Sequence, residues 1–150
     1  VTMLATKQDY YDLLVRSALD GTMPSYDIER DRCWYRGGGG KKCAIGVGIP
    51  DEEYKVGIES HGANRVFPMF AQFFPPDINS TVCSVIQEAH DESSRNALGA
   101  LQAGYDTYRL VFAETFVERL NELDYFQSIA QVDPRTFSAA SLSNVTSPAR

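Results

Sequence analysis

The chain has 150 residues, 43% of them hydrophobic and 23% charged, which is enough apolar material for one hydrophobic core and too much for a disordered chain. Fourteen basic against twenty acidic residues leave a net charge of −6, so neither nucleic acid nor an anionic membrane is an expected partner. No apolar run reaches the about 18 residues of a spanning helix, and the first residues lack the pattern of a secretion signal. Three cysteines, an odd number, suit a reducing cytoplasm better than a disulfide framework.

Thr6-Lys7-Gln8-Asp9, followed by apolar residues at Tyr10, Leu13, Leu14 and Ala18, predicts a capped amphipathic helix that ends at Asp20-Gly21. Residues 22–31 contain Pro24 and read as a loop. Cys33 through Arg36 has aromatic β-propensity, the glycines after it turn the chain, and residues 42–49 read as a returning strand or, preferably, a short helix ending before Pro50. Pro50 opens a further turn with Asp51-Glu52-Glu53, and residues 55–62 form a loop. Val66, Phe67, Phe70, Phe73 and Phe74 make a helical stripe interrupted by Pro68 and stopped by Pro75-Pro76. Asn79 or Ser80 caps the next helix, with Val82, Val85, Ile86 and Ala89 facing inward and His90-Asp91 at its end. Leu98, Leu101, Tyr105, Tyr108, Phe112, Phe116, Leu120 and Leu123 mark one face of a long helix, continued briefly by Phe126, Ile129 and Ala130. The expected fold is α+β and predominantly α-helical, with four or five helices and a small β-hairpin or glycine turn. Residues 1–136 read as one globular domain, and residues 137–150, dominated by Ser, Ala, Asn and Thr, as a flexible tail.

Residues 32–51 concentrate the unusual chemistry: two of the three cysteines, the tryptophan, four consecutive glycines and four basic side chains. The pattern Cys33-x-Tyr35-Arg36, a glycine turn, then Lys42-Cys43-Ala44-x-Gly46-x-x-Ile49-Pro50-Asp51-x-x-Tyr54, resembles a group of small proteins in bacteria and their phages. In that group a leading helix precedes the motif, and a Leu-Gln-x-x-His-Asp segment and a closing helix follow it. Ile86-Gln87-Glu88-Ala89-His90-Asp91 is similar to that segment, with Ile for Leu, and the match runs over roughly residues 10–130. The resemblance implies which residues matter and carries no activity. The four glycines in a row depart from the group, whose turn mixes polar residues among its glycines.

Four chemistries fit the motif. A glycine loop leading into a short helix leaves backbone N–H groups free for an anion, with Tyr35, Arg36, Gly38, Gly39, Gly40, Lys41 and Lys42 as the ligand-binding residues. The Walker pattern is not met, since Lys41 is followed by Lys42 and Tyr35 stands where the first glycine belongs. The plainer reading is a turn with solvated lysines. Second, Cys43 beside Lys42 at a helix start, with His90 as base and Asp91 nearby, would suit a thiol hydrolase or transferase; otherwise Cys43 is a small buried hydrophobe. Third, Cys33, Cys43 and His90 with Cys83 or His61 could surround zinc, although no compact zinc spacing occurs. Fourth, Cys33 and Cys43 could meet across a hairpin as a disulfide. The leading expectation is a non-catalytic binding module, a phage or bacterial accessory protein, that takes a small anionic ligand or a protein partner through the Arg36–Cys43 loop, with no cofactor and no assigned metal. The alternatives are the Cys43/His90 enzyme and a homodimer formed through the helix face around Phe112 and Phe116.

Overall fold

A computed structural model describes residues 4–129 and 131–136. It shows a predominantly α-helical α+β fold, in which four α-helices and several 3₁₀ turns enclose a small antiparallel hairpin. Helix α1 (Lys7–Asp20) begins with a reciprocal cap. The Thr6 hydroxyl accepts from the Asp9 N–H, and the Asp9 carboxylate accepts from the Thr6 N–H, both at 3.1 Å. Gly21 ends the helix at φ 86°, and a Cβ there would lie 1.6 Å from Nη2 of the fully buried Arg109.

Strands β1 (Tyr26–Asp27) and β2 (Arg32–Cys33) pair antiparallel, with Tyr26 opposite Cys33. The segment expected to be loop thus contains half of the hairpin. Its turn is organised by Asp27, whose carboxylate accepts from the N–H groups of Glu29 (3.1 Å) and Arg30 (3.2 Å). Beyond Cys33 the chain bends at Tyr35 and doubles back through the glycines. Arg36 bridges Lys42, while Gly39 and Gly40 hold φ 70° and 80° in the turn. The returning segment is a 3₁₀ turn at Gly46–Gly48 rather than a strand.

Helix α2 (Ala63–Phe70) contains Pro68 and buries Val66, Phe67 and Phe70. Helix α3 (Ser80–Asn96) is capped by Asn79, whose Oδ1 accepts from the Val82 N–H at 2.9 Å. It runs past His90-Asp91, so these two residues lie within the helix and not at its end. Val85, expected inside, is exposed, and Cys83, Gln87 and His90 are buried instead. The long helix expected from residue 98 is broken. A 3₁₀ segment (Leu98–Ala103) stops at Gly104, whose φ of 118° excludes helix, and α4 (Tyr105–Glu122) starts afresh. Leu98 and Leu101 are three residues apart, a spacing that a 3₁₀ turn satisfies as well as an α-helix does.

Helix α4 packs on α1 and α3, and α3 packs on α2. Between them the Tyr10 ring meets Phe74 edge-on at 5.4 Å, and Phe112 stacks on Phe116 at 5.4 Å. Phe112 and Phe116 are fully buried, so the face expected to pair with a second copy is part of the core. Among the described residues no helix is long and apolar enough to cross a membrane. The expected tail, residues 137–150, and Ala130 lie outside the described residues.

Close approach makes Gly46 the most demanding position of the central motif. A Cβ there would stand 1.9 Å from the Tyr35 carbonyl oxygen, a backbone atom that cannot move aside. Gly46→Ala should lose roughly 3 kcal/mol or more of unfolding free energy, read by urea denaturation, whereas Gly57→Ala, with open space around it, should change it little.

Candidate functional site

The residues singled out by the sequence are first of all bound to one another. The buried Glu59 carboxylate accepts from the N–H groups of Tyr35 (2.9 Å) and Arg36 (3.0 Å) and from the Tyr54 hydroxyl (2.6 Å). The Arg36 guanidinium donates to the Gly46 and Ile49 carbonyls and to Asp51 Oδ1 (2.8 Å), and Lys42 reaches the same Asp51 oxygen at 3.5 Å. The Tyr35 hydroxyl donates to the His61 carbonyl at 2.7 Å. Tyr35, Arg36 and Lys42, expected to hold a ligand, fasten the loop at residues 46–61. Lys41 behaves differently: it is 2% exposed, with its ammonium 4.4 Å from the centre of the Tyr105 ring.

The segment Cys33–Arg36 separates two cavities. The first, about 660 Å³, is bordered by Arg32, Cys33, His61, Gln87, Asp91 and Arg95, among others. At its wall Cys33, His90 and Asp91 converge. The Cys33 sulfur lies 3.7 Å from His90 Nδ1, which lies 3.0 Å from Asp91 Oδ1. The sulfur beside the imidazole is thus that of Cys33. The Cys43 thiol is fully buried and accepts from the Gly46 N–H at 3.3 Å. His90 rests edge-on against Phe112 (5.4 Å) and Phe116 (6.0 Å). Its other nitrogen, Nε2, accepts from the Ser25 N–H at 3.3 Å. A neutral ring that accepts at Nε2 carries its proton on Nδ1 and donates it to Asp91, so no lone pair is left to take a proton from Cys33.

The local charges agree with this. Burial raises the Asp91 carboxyl, but hydrogen bonds from His90, Cys33 and Gln87 outweigh it and hold Asp91 below the usual carboxylate range. Burial, and then the Asp91 charge, push the Cys33 thiol far up. Burial pushes the Cys43 thiol up to about 12 despite the Gly46 N–H, which favours the thiolate. Both sulfurs are held as thiols, the opposite of an activated nucleophile.

The second cavity, about 620 Å³, is lined by Ser25, Tyr26, Trp34, Gly37, Lys41 and Tyr105, among others. The Ser25 hydroxyl is buried and has no hydrogen-bond partner among the described residues. A Cβ on Gly37 would come within 2.6 Å of it, so glycine is what keeps this hydroxyl clear. Gly38 also lines this cavity, whereas Gly39 and Gly40 only shape the turn. Ser25 and Tyr105 were not expected as site residues, and Cys33 was expected beside His90 only in the zinc reading, with Cys43 given the role of nucleophile. A serine in a polar loop and a tyrosine at a helix start carry no signal of their own in the sequence.

No family model, curated protein or solved structure matches the chain.

Two outcomes test this site. Burial holds both thiols protonated and shielded, so iodoacetamide at neutral pH should label Cys33 and Cys43 of the folded protein at least about a hundredfold more slowly than free cysteine, followed by mass spectrometry. Because the folded-state pKa of Asp91 is lowered, its contribution to stability is present above the ordinary value of 3.8 and is lost as pH falls below it. Asp91→Asn should therefore show a shallower loss of stability on acidification below that value than the parent protein, measured by urea midpoints across the acid range.

Proposed function

We propose that the protein is a non-catalytic binding module whose ligand is a small anion with a flat apolar body, held in the cavity between the glycine turn and Tyr105. The observation that carries this reading is the Ser25 hydroxyl, buried without a hydrogen-bond partner among the described residues on the same cavity as the buried Lys41. A buried hydroxyl without a partner is costly unless something completes it, and Lys41 places a cation on the same cavity. Trp34, Tyr26 and Tyr105 offer aromatic surface for a planar group, and the missing side chains at Gly37 and Gly38 leave it room. Asp27, on the same wall, has its charge occupied by Arg30 at 2.9 Å. Thiol chemistry is not part of this reading, because both sulfurs near the motif are held protonated.

The test uses benzoate and inorganic phosphate as probes in thermal unfolding. A ligand that binds only the folded state stabilises it by about 2.7 kcal/mol at a hundred times its dissociation constant. Benzoate should raise the melting temperature, phosphate should do so less, and neutral benzamide should leave it unchanged. Ser25→Ala should weaken the benzoate effect about tenfold in midpoint concentration, and Lys41→Met should abolish it. A flat response to both anions, or an undiminished benzoate response in Ser25→Ala, overturns the proposal.

A further inference from the structure

We infer that Cys33, His90 and Asp91 form a three-ligand site for a zinc-class divalent ion in the wall of the other cavity. One ligand atom from each residue lies within 4.8 Å of the other two. A tetrahedral ion about 2.3 Å from sulfur and about 2.0–2.2 Å from nitrogen and oxygen sets a sulfur–nitrogen edge of about 3.5 Å and a nitrogen–oxygen edge of about 3.3 Å. Two of the edges here are 3.7 and 3.0 Å and the third, sulfur to oxygen, lies within 4.8 Å, so rotation of the side chains would seat the ion.

The ligand set suits such an ion in other respects. A thiolate and a carboxylate balance two positive charges, and the thiolate favours zinc-like ions over magnesium or calcium. Orientation is built in around the ligands. Gln87 donates from Nε2 to Asp91 Oδ1 at 2.8 Å, and its own Oε1 is fixed by the Ile45 N–H at 3.0 Å. The imidazole is clamped by the two phenylalanines of α4. Asp91 keeps 27% of its side chain exposed, which gives the ion a way in, and the fourth position opens on the cavity for water.

Loading has a definite proton balance. The Cys33 S–H bond breaks and its proton leaves to solvent. The His90 proton passes from Nδ1 to Nε2 through exchange with water, so one proton is released per ion. The Nε2–H then faces the Ser25 N–H, which loses its acceptor. That change reports on the ring itself and not on general stabilisation.

The experiment titrates chelator-treated full-length protein with Co²⁺, then Zn²⁺, by absorption spectroscopy, and follows the Ser25 amide by NMR during Zn²⁺ addition. One Co²⁺ per chain should bind with a thiolate-to-cobalt charge-transfer band and be displaced by Zn²⁺, and the Ser25 amide signal should move in step. Cys33→Ser should remove the band and weaken binding roughly a hundredfold. Asp91→Asn should keep the band but weaken binding roughly tenfold, and His61→Ala should leave both unchanged. Circular dichroism checks the fold of each variant; if Cys33→Ser does not fold, Asp91→Asn and the Ser25 amide decide. No saturable Co²⁺ uptake at tenfold excess, a charge-transfer band that survives Cys33→Ser, or a Ser25 amide unmoved by Zn²⁺ would overturn the inference.

Discussion

The Glu59 carboxylate is the fixed point on which the central motif depends. Two backbone N–H groups, those of Tyr35 and Arg36, point into a buried region where no neighbouring strand offers carbonyls. Left unpaired, each would cost about 1–3 kcal/mol. One carboxylate satisfies both, accepts the Tyr54 hydroxyl as well, and lends its backbone carbonyl to Arg32 at 2.7 Å. The segment is thereby tied to a 3₁₀ turn (Val56–Ser60) more than twenty residues further along the chain. Arg36 makes the second tie, gathering the Gly46 and Ile49 carbonyls and Asp51 around one guanidinium. A planar fork with several donors can do this; a lysine could not.

Fixing that segment has a functional consequence. Cys33 and Tyr35 line the cavity beside α3 while Trp34 lines the cavity beside the glycine turn. Ser25 belongs to both surroundings, its N–H on the His90 ring and its hydroxyl towards Lys41. The motif is thus a partition between two pockets of different chemistry. One pocket gathers sulfur, imidazole and carboxylate; the other gathers aromatic rings and a cation.

What could be read in the sequence was local. Thr6 with Asp9 and Asn79 before Ser80 mark helix starts through a bond made within three residues, Gly21 after Asp20 marks a helix end by its left-handed backbone, and each sits where the pattern placed it. Four helices with a small hairpin follow from such signals and from the apolar stripes. The failures were tertiary. Strands of two residues have no periodicity to detect, so Tyr26–Asp27 passed for loop. Lys41 read as a solvated lysine of the turn, yet it lies inside, and nothing in its neighbours along the chain foretells a ring packed over it. The choice between Cys33 and Cys43 turned on which face of the segment meets α3. His90 and Asp91 were legible as residues of interest, but the sulfur beside them depended on a contact 57 residues away in sequence.

The seating of His90 against two phenyl rings makes the molecule self-reporting. Phe112 and Phe116 belong to α4 while the imidazole belongs to α3, and the rings meet edge to face at 5.4 and 6.0 Å. Aromatic ring currents at such range displace the magnetic resonances of the imidazole's carbon-bound hydrogens. With two histidines in the chain, those peaks are few and easily separated. The tightness of the seam between these helices can therefore be watched in unlabelled protein, through the one side chain on which both the bundle and the pocket rest.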